Sequence, residues 1–112
     1  MDIAIRTHKD VSLVAFAGHL DTNTAPEAQE ALDRVVEGGG QKVVIDCTAL
    51  DYISSAGLRV LLGIVKRLDG VGGSFHLFGL NESVREVLDI SGFSMILKIF
   101  GTEAEALEGI AT

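Results

Sequence analysis

Hydrophobic positions along the chain change period several times, and each change marks an element. Ile3 and Ile5 alternate with Ala4 and Arg6, which predicts a half-buried strand ending near Thr7. Lys9-Asp10 reads as a tight turn, and residues 11–17 as a second strand folded back on the first. Gly18 ends it. Thr24 and Glu27 then have the spacing of a capping box, with Pro26 tolerated in the first turn. Ala28, Ala31, Leu32, Val35 and Val36 give the helix that follows one apolar face, and Gly38-Gly39-Gly40 stops it. Lys42-Val43-Val44-Ile45-Asp46 is a near-continuous β-branched run of strand length. Beyond it, Leu58, Leu61, Leu62, Val65 and Leu68 recur at helical spacing, with Arg59, Lys66 and Arg67 on other faces. Residues 69–73 break the chain, and residues 74–78 read as another strand. Asn81 is placed to cap a helix carrying Val84, Val87 and Leu88 inward and closed by Gly92. Residues 95–100 are expected as a last strand. Thr102 and Glu105 repeat the capping-box spacing and open a terminal helix with Ala106, Leu107 and Ile110.

After the hairpin, strands and helices alternate, and strand–helix–strand units normally run right-handed with parallel strands. The expected fold is therefore α/β: a mixed, mostly parallel sheet of four to five strands with about four helices. The strands at 11–17, 42–46 and 74–78 should end on one edge, where open sheets tend to place their working surface. Three loops would meet there, at residues 19–23, 51–55 and 79–81. Asp21, Thr22 and Asn23 would then lie near Ser54 and Ser55, where a strand hands over to a helix. A helix N-terminus has unpaired N–H groups and a partial positive charge, so it favours a serine oxygen or a phosphate. One of the two serines could be a phosphoryl acceptor. Both also suit the plainer role of a helix cap.

Tyr52-Ile53-Ser54-Ser55-Ala56-Gly57-Leu58-Arg59 resembles the signature of STAS domains, the bacterial anti-sigma factor antagonists and their relatives. Gly18-His19-Leu20-Asp21-Thr22-Asn23-Thr24-Ala25-Pro26 resembles that family's second motif, and the likeness extends to Val84-Arg85-Glu86-Val87-Leu88-Asp89-Ile90-Ser91-Gly92-Phe93. The family pattern is Asp-Ser-Ser/Thr-Gly-Leu-Gly. On it, Ser55 falls at the phosphoacceptor, Ser54 stands in place of the aspartate, and Arg59 replaces a glycine. The resemblance implies an unphosphorylated form that binds an anti-sigma factor which is also a serine kinase. Phosphorylation of Ser55 would break that complex, and a metal-dependent serine/threonine phosphatase would restore it. The implied contact surface comprises Asp21, Thr22, Asn23, Ser54, Ser55, Ala56, Gly57 and Arg59.

Charge and composition narrow the rest. A net charge of −7 without basic clusters argues against a nucleic-acid partner and suits one that presents a basic patch. With 112 residues and 47% hydrophobic content, one domain over residues 1–112 with a single core is expected. No apolar run is long enough to span a membrane, and the first residues lack the apolar stretch of a secretory signal, so a cytosolic protein is expected. Cys47 is the sole cysteine, which leaves no internal disulfide and reads as a small buried side chain. His8, His19 and His76 lie on separate segments without metal-ligand spacing, and His76 should pack within or beside a strand. No cofactor is expected. Asp46 and Asp51 do not make a catalytic pair on spacing alone, and no nucleophile–base–orienter set emerges, so an enzyme is not expected. Two rival readings remain: a STAS interaction module without a switch, in a sensor, transporter or lipid-transport assembly, and a nucleotide-binding protein using the same edge.

Overall fold

In the computed structural model, which describes residues 1–111, five strands form one sheet in the order β1-β2-β3-β4-β5. The chain runs β1 (Asp2–His8), β2 (Val11–Leu20), α1 (Ala25–Glu37), β3 (Lys42–Ile53), α2 (Ser55–Gly70), β4 (Ser74–Phe78), α3 (Glu82–Ile90), a 3-10 turn (Phe93–Met95), β5 (Lys98–Phe100) and α4 (Glu103–Ala111). β1 is antiparallel to β2, and the other three pairs are parallel, as the alternation of elements predicts. Thr112, the end of the expected single domain, lies outside the described residues.

The sheet buries both faces by alternation. Val43, Ile45 and Cys47 join the large cluster that α1, α2 and α3 build with Ala28, Leu32, Leu61, Ile64 and Leu88. Val44 points the other way, with Val11, Leu13 and Phe78, and is covered by Ala106 and Ile110 of α4. A strand buried on both faces must be apolar at every position, which is why β3 opens on an unbroken β-branched run.

Three boundaries differ from the sequence expectation. β3 continues to Ile53 rather than stopping at Asp46, and β2 continues to Leu20. The cause is a bulge: Asp46 Oδ1 accepts from the Thr48 amide at 2.9 Å and from its hydroxyl at 2.7 Å, and the register with β2 shifts there and again between Gly18 and His19. Residues 93–97 form a tight turn, with Gly92 at a left-handed φ of 80° and bonds from Met95 to Gly92 and from Leu97 to Phe93, so β5 keeps only three residues. The capping box at Thr24 does not form, because the Thr24 hydroxyl turns back to the loop before α1. Asn81 does cap α3, accepting from the Val84 amide at 2.8 Å.

His76 lies buried in β4 beneath α4. Its Nδ1–H donates to the Ala106 carbonyl at 3.2 Å, and its ring packs on Phe100. Burial, with Lys98 adding repulsion, holds its pKa below the usual 6.5 against the opposing pull of the Ala106 bond. The unfolded chain therefore takes up a proton that the folded chain resists, and stability present at neutral pH is lost as pH falls below about 6.5. In urea titrations between pH 8 and 5, His76→Gln should flatten that slope; an unchanged slope would place the titration elsewhere.

Candidate functional site

β2 and β3 run side by side to their ends, where His19 pairs with Tyr52 and Leu20 with Ile53. The residues that leave the two strands are therefore neighbours, and the Ser54 amide donates to the Leu20 carbonyl at 2.9 Å. This places the turn carrying Asp21, Thr22 and Asn23 beside Ser54 and Ser55. Within the turn, Asp21 Oδ1 accepts from the amides of Asn23 (2.9 Å) and Thr24 (3.2 Å). The Thr24 hydroxyl accepts from the Asp21 amide at 2.9 Å and donates to the His19 carbonyl at 2.7 Å. Asp21 and Thr24 thus fix the turn, while Thr22 and Asn23 are exposed at its tip.

α2 begins at Ser55, and the two serines divide the available roles. Ser54 is the cap: its backbone is extended, its Oγ lies 3.5 Å from the Gly57 amide, and its carbonyl accepts from Leu58 at 2.9 Å. Ser55 is the first helical residue and is exposed, and its hydroxyl has no hydrogen bond among the described residues. The backbone amides of Ser55 and Ala56 also have no acceptor there, as expected of a first helical turn. Arg59 is exposed, four residues on and so on the same helix face as Ser55, and has no ion pair among the described residues. Ala56 is half-buried between them.

One sequence expectation needs correction here. Gly57, assigned to the contact surface, is buried: a Cβ there would lie 2.7 Å from Leu20 Cγ, 2.8 Å from Ile53 Cγ1 and 2.9 Å from the Leu20 carbonyl. Its part is to let α2 start hard against the strand ends. The third loop, at residues 79–81, is held against β3 short of its end, where Gly79 approaches Thr48 and Asn81 Nδ2 donates to the Leu50 carbonyl at 3.2 Å. Leu50 precedes Ser54 by four residues.

The contact surface read from the sequence leaves out the pair Tyr52 and His19. Tyr52 is half exposed at the end of β3, and the His19 ring meets it edge-on at 6.0 Å. The signal was present, since Ile53 turns inward and its neighbour must turn out. Surface depressions of about 230, 150 and 300 Å³ lie elsewhere, and none of the three is lined by residues 19–24 or 52–59. The serine edge is a platform that presents the exposed side chains of Thr22, Asn23, Tyr52, Ser55 and Arg59. Cys47 is inert by contrast, its thiol buried and pushed far above the usual range by that burial and then by Asp46. Among the described residues no cluster of three His, Cys, Asp or Glu is placed to hold a metal ion, and no helix is long and apolar enough to cross a membrane.

The family profile of the STAS domain matches residues 2–106. BtrV of Bordetella bronchiseptica, a candidate anti-sigma factor antagonist, is 37% identical over 100 residues, which cover 89% of this chain and 86% of its own. An anti-sigma-B factor antagonist of Listeria monocytogenes is 36% identical over 92 residues, 82% of this chain and 81% of its own. The crystal structure of a candidate anti-sigma factor antagonist from Thermotoga maritima superposes with a TM-score of 0.93 at 26% identity, covering 98% of this chain and 95% of that one.

Proposed function

This chain belongs to the STAS domain family, among the anti-sigma factor antagonists, and we propose that phosphorylation of Ser55 switches its grip on an anti-sigma factor. The family regulates by binding rather than by catalysis. In this reading the unphosphorylated protein docks through the turn at residues 21–23 and the start of α2 onto an anti-sigma factor that is also a serine kinase, freeing the sigma factor. Phosphate on Ser55 then ends the complex, and a metal-dependent serine/threonine phosphatase renews it.

The observation that carries the reading is the division of labour between the serines. Ser54 holds the helix start, so Ser55 is free to be modified without loss of the cap. A phosphate brings about −1.5 to −2 charges to a platform meant to be desolvated on docking. The free amides of Ser55 and Ala56, and Arg59 one turn on, can hold it without refolding the helix. The switch therefore acts through charge and shape at the surface.

Titration of the cognate anti-sigma factor tests this. Ser55→Ala should bind within a few-fold of the unaltered protein, and Ser55→Glu at least about tenfold more weakly, or ~1.4 kcal/mol. If the two variants bind alike, the switch reading fails.

A further inference from the structure

The outward face of α2 carries a cationic strip that the switch reading leaves unexplained. Below Ser55, Arg59, Gly63 and Lys66 follow at spacings of four and three residues, so they share one face while Leu61, Ile64 and Leu68 pack inward. Of the nine Lys and Arg residues, Arg6, Arg34, Lys42, Arg67 and Arg85 are each paired with a carboxylate of this chain. Lys9, Lys98, Arg59 and Lys66 are not, among the described residues, and of these four Arg59 and Lys66 alone share a helix. They stand about 10 Å apart along one helix face. On a molecule of net charge −7, and with exposed Asp69 three residues beyond Lys66, they offer two cations to an anionic partner surface.

Gly63 adds a second, independent observation. A glycine weakens a helix interior, so one is normally kept there by close packing. At Gly63 a Cβ would meet nothing within 4 Å and no left-handed φ requires it, so the packing within this chain does not explain it. It leaves the strip flat between the two cations. Ile96, more than half exposed, lines a depression with Val65 and Asp69 of α2.

We propose that the strip Arg59–Gly63–Lys66 is a docking surface for an acidic helix of the anti-sigma factor, which lies along α2 with carboxylates opposite the two cations and its backbone close to Gly63. This rests on the proposed function and extends its interface from the helix start down about two turns of α2. It also gives Arg59 two rival anions. Phosphate on Ser55 lies four residues N-terminal to Arg59 and draws its guanidinium back, because helical side chains lean towards the N-terminus. Release then combines repulsion by the phosphate with loss of one of the two attracting cations.

Binding kinetics with the purified cognate anti-sigma factor, at low and at physiological salt, test the strip. The double variant Arg59→Glu/Lys66→Glu should bind roughly thirtyfold more weakly at low salt, mainly through slower association, with a flattened salt dependence. Arg34→Glu makes a charge reversal on α1 and should stay within about threefold of the unaltered protein. Gly63→Gln leaves the charge unchanged and should raise the dissociation rate roughly tenfold, with circular dichroism unaltered. If the double variant fails to fold, Arg59→Gln/Lys66→Gln together with Gly63→Gln decides. Strip variants that bind like Arg34→Glu overturn the proposal, whatever Ser55→Glu does. Weak binding by the strip variants together with tight binding by Ser55→Glu would keep the strip and sink the switch.

Discussion

Gly57→Val should destabilise the fold by about 3 kcal/mol or more, the upper end of overpacking costs. The new Cβ would sit 2.7 Å from Leu20 Cγ and 2.9 Å from the Leu20 carbonyl, and valine adds two further methyls. Flexible side chains yield to such contacts, but this carbonyl is tied to the Ser54 amide and cannot retreat without unseating the start of α2. Against a typical total of about 5–15 kcal/mol, that loss is large. The same helix supplies the control. Gly63→Ala meets open space and replaces the weakest ordinary helix former with the best, so it should stabilise by about 1 kcal/mol. Urea denaturation of both variants measures the contrast. Shifts of the same sign would mean that contact at Leu20 does not decide what Gly57 does.

The second large effect is on phosphorylation itself. With the cognate kinase, Ser55→Ala should incorporate no phosphate, whereas Ser54→Asp should be labelled at least as fast as the unaltered protein. Ser54 is half-buried, and its hydroxyl faces the helix it caps, while Ser55 stands exposed at the first helical position. Aspartate caps a helix about as well as serine, so Ser54→Asp keeps the local fold. It also restores a carboxylate beside the acceptor, able to take the hydroxyl proton or help place a metal ion in the kinase complex. Mass spectrometry locates the product. Phosphate on Ser54 would overturn the assignment, and no labelling at either serine would leave a STAS module without a switch.

Much of this architecture was legible because local pattern and global fold agree. The hairpin, the four helices and the Asn81 cap follow from residues within a few positions of one another. The far half of β3 was not legible, for a specific reason. Two register shifts add residues to β3, so its inward positions Leu50 and Ile53 fall three apart rather than two. A three-residue spacing carries no strand signal, and Asp46 and Thr48 look like the polar end of an element. The contacts of the 79–81 loop with Thr48 and Leu50 were hidden by the same error, since both residues lie in the unread half of β3. At Thr24 the threonine–glutamate spacing was present, but the hydroxyl served the preceding turn instead, a choice that depends on Asp21 and His19.

The length of β3 has a consequence for how the molecule behaves in a crowd. Its pairing with β4 stops at Asp46 and Phe78, so residues 47–53 have a strand on one side only. An unpaired row of backbone groups is a template on which a stray chain can add and begin an aggregate. Here the bulge at Asp46 and Thr48 kinks the row, and the Asn81 amide occupies the Leu50 carbonyl near its middle. Asn81 thus blocks part of an open edge while it caps α3, and Gly79 and α3 lie against the same strand.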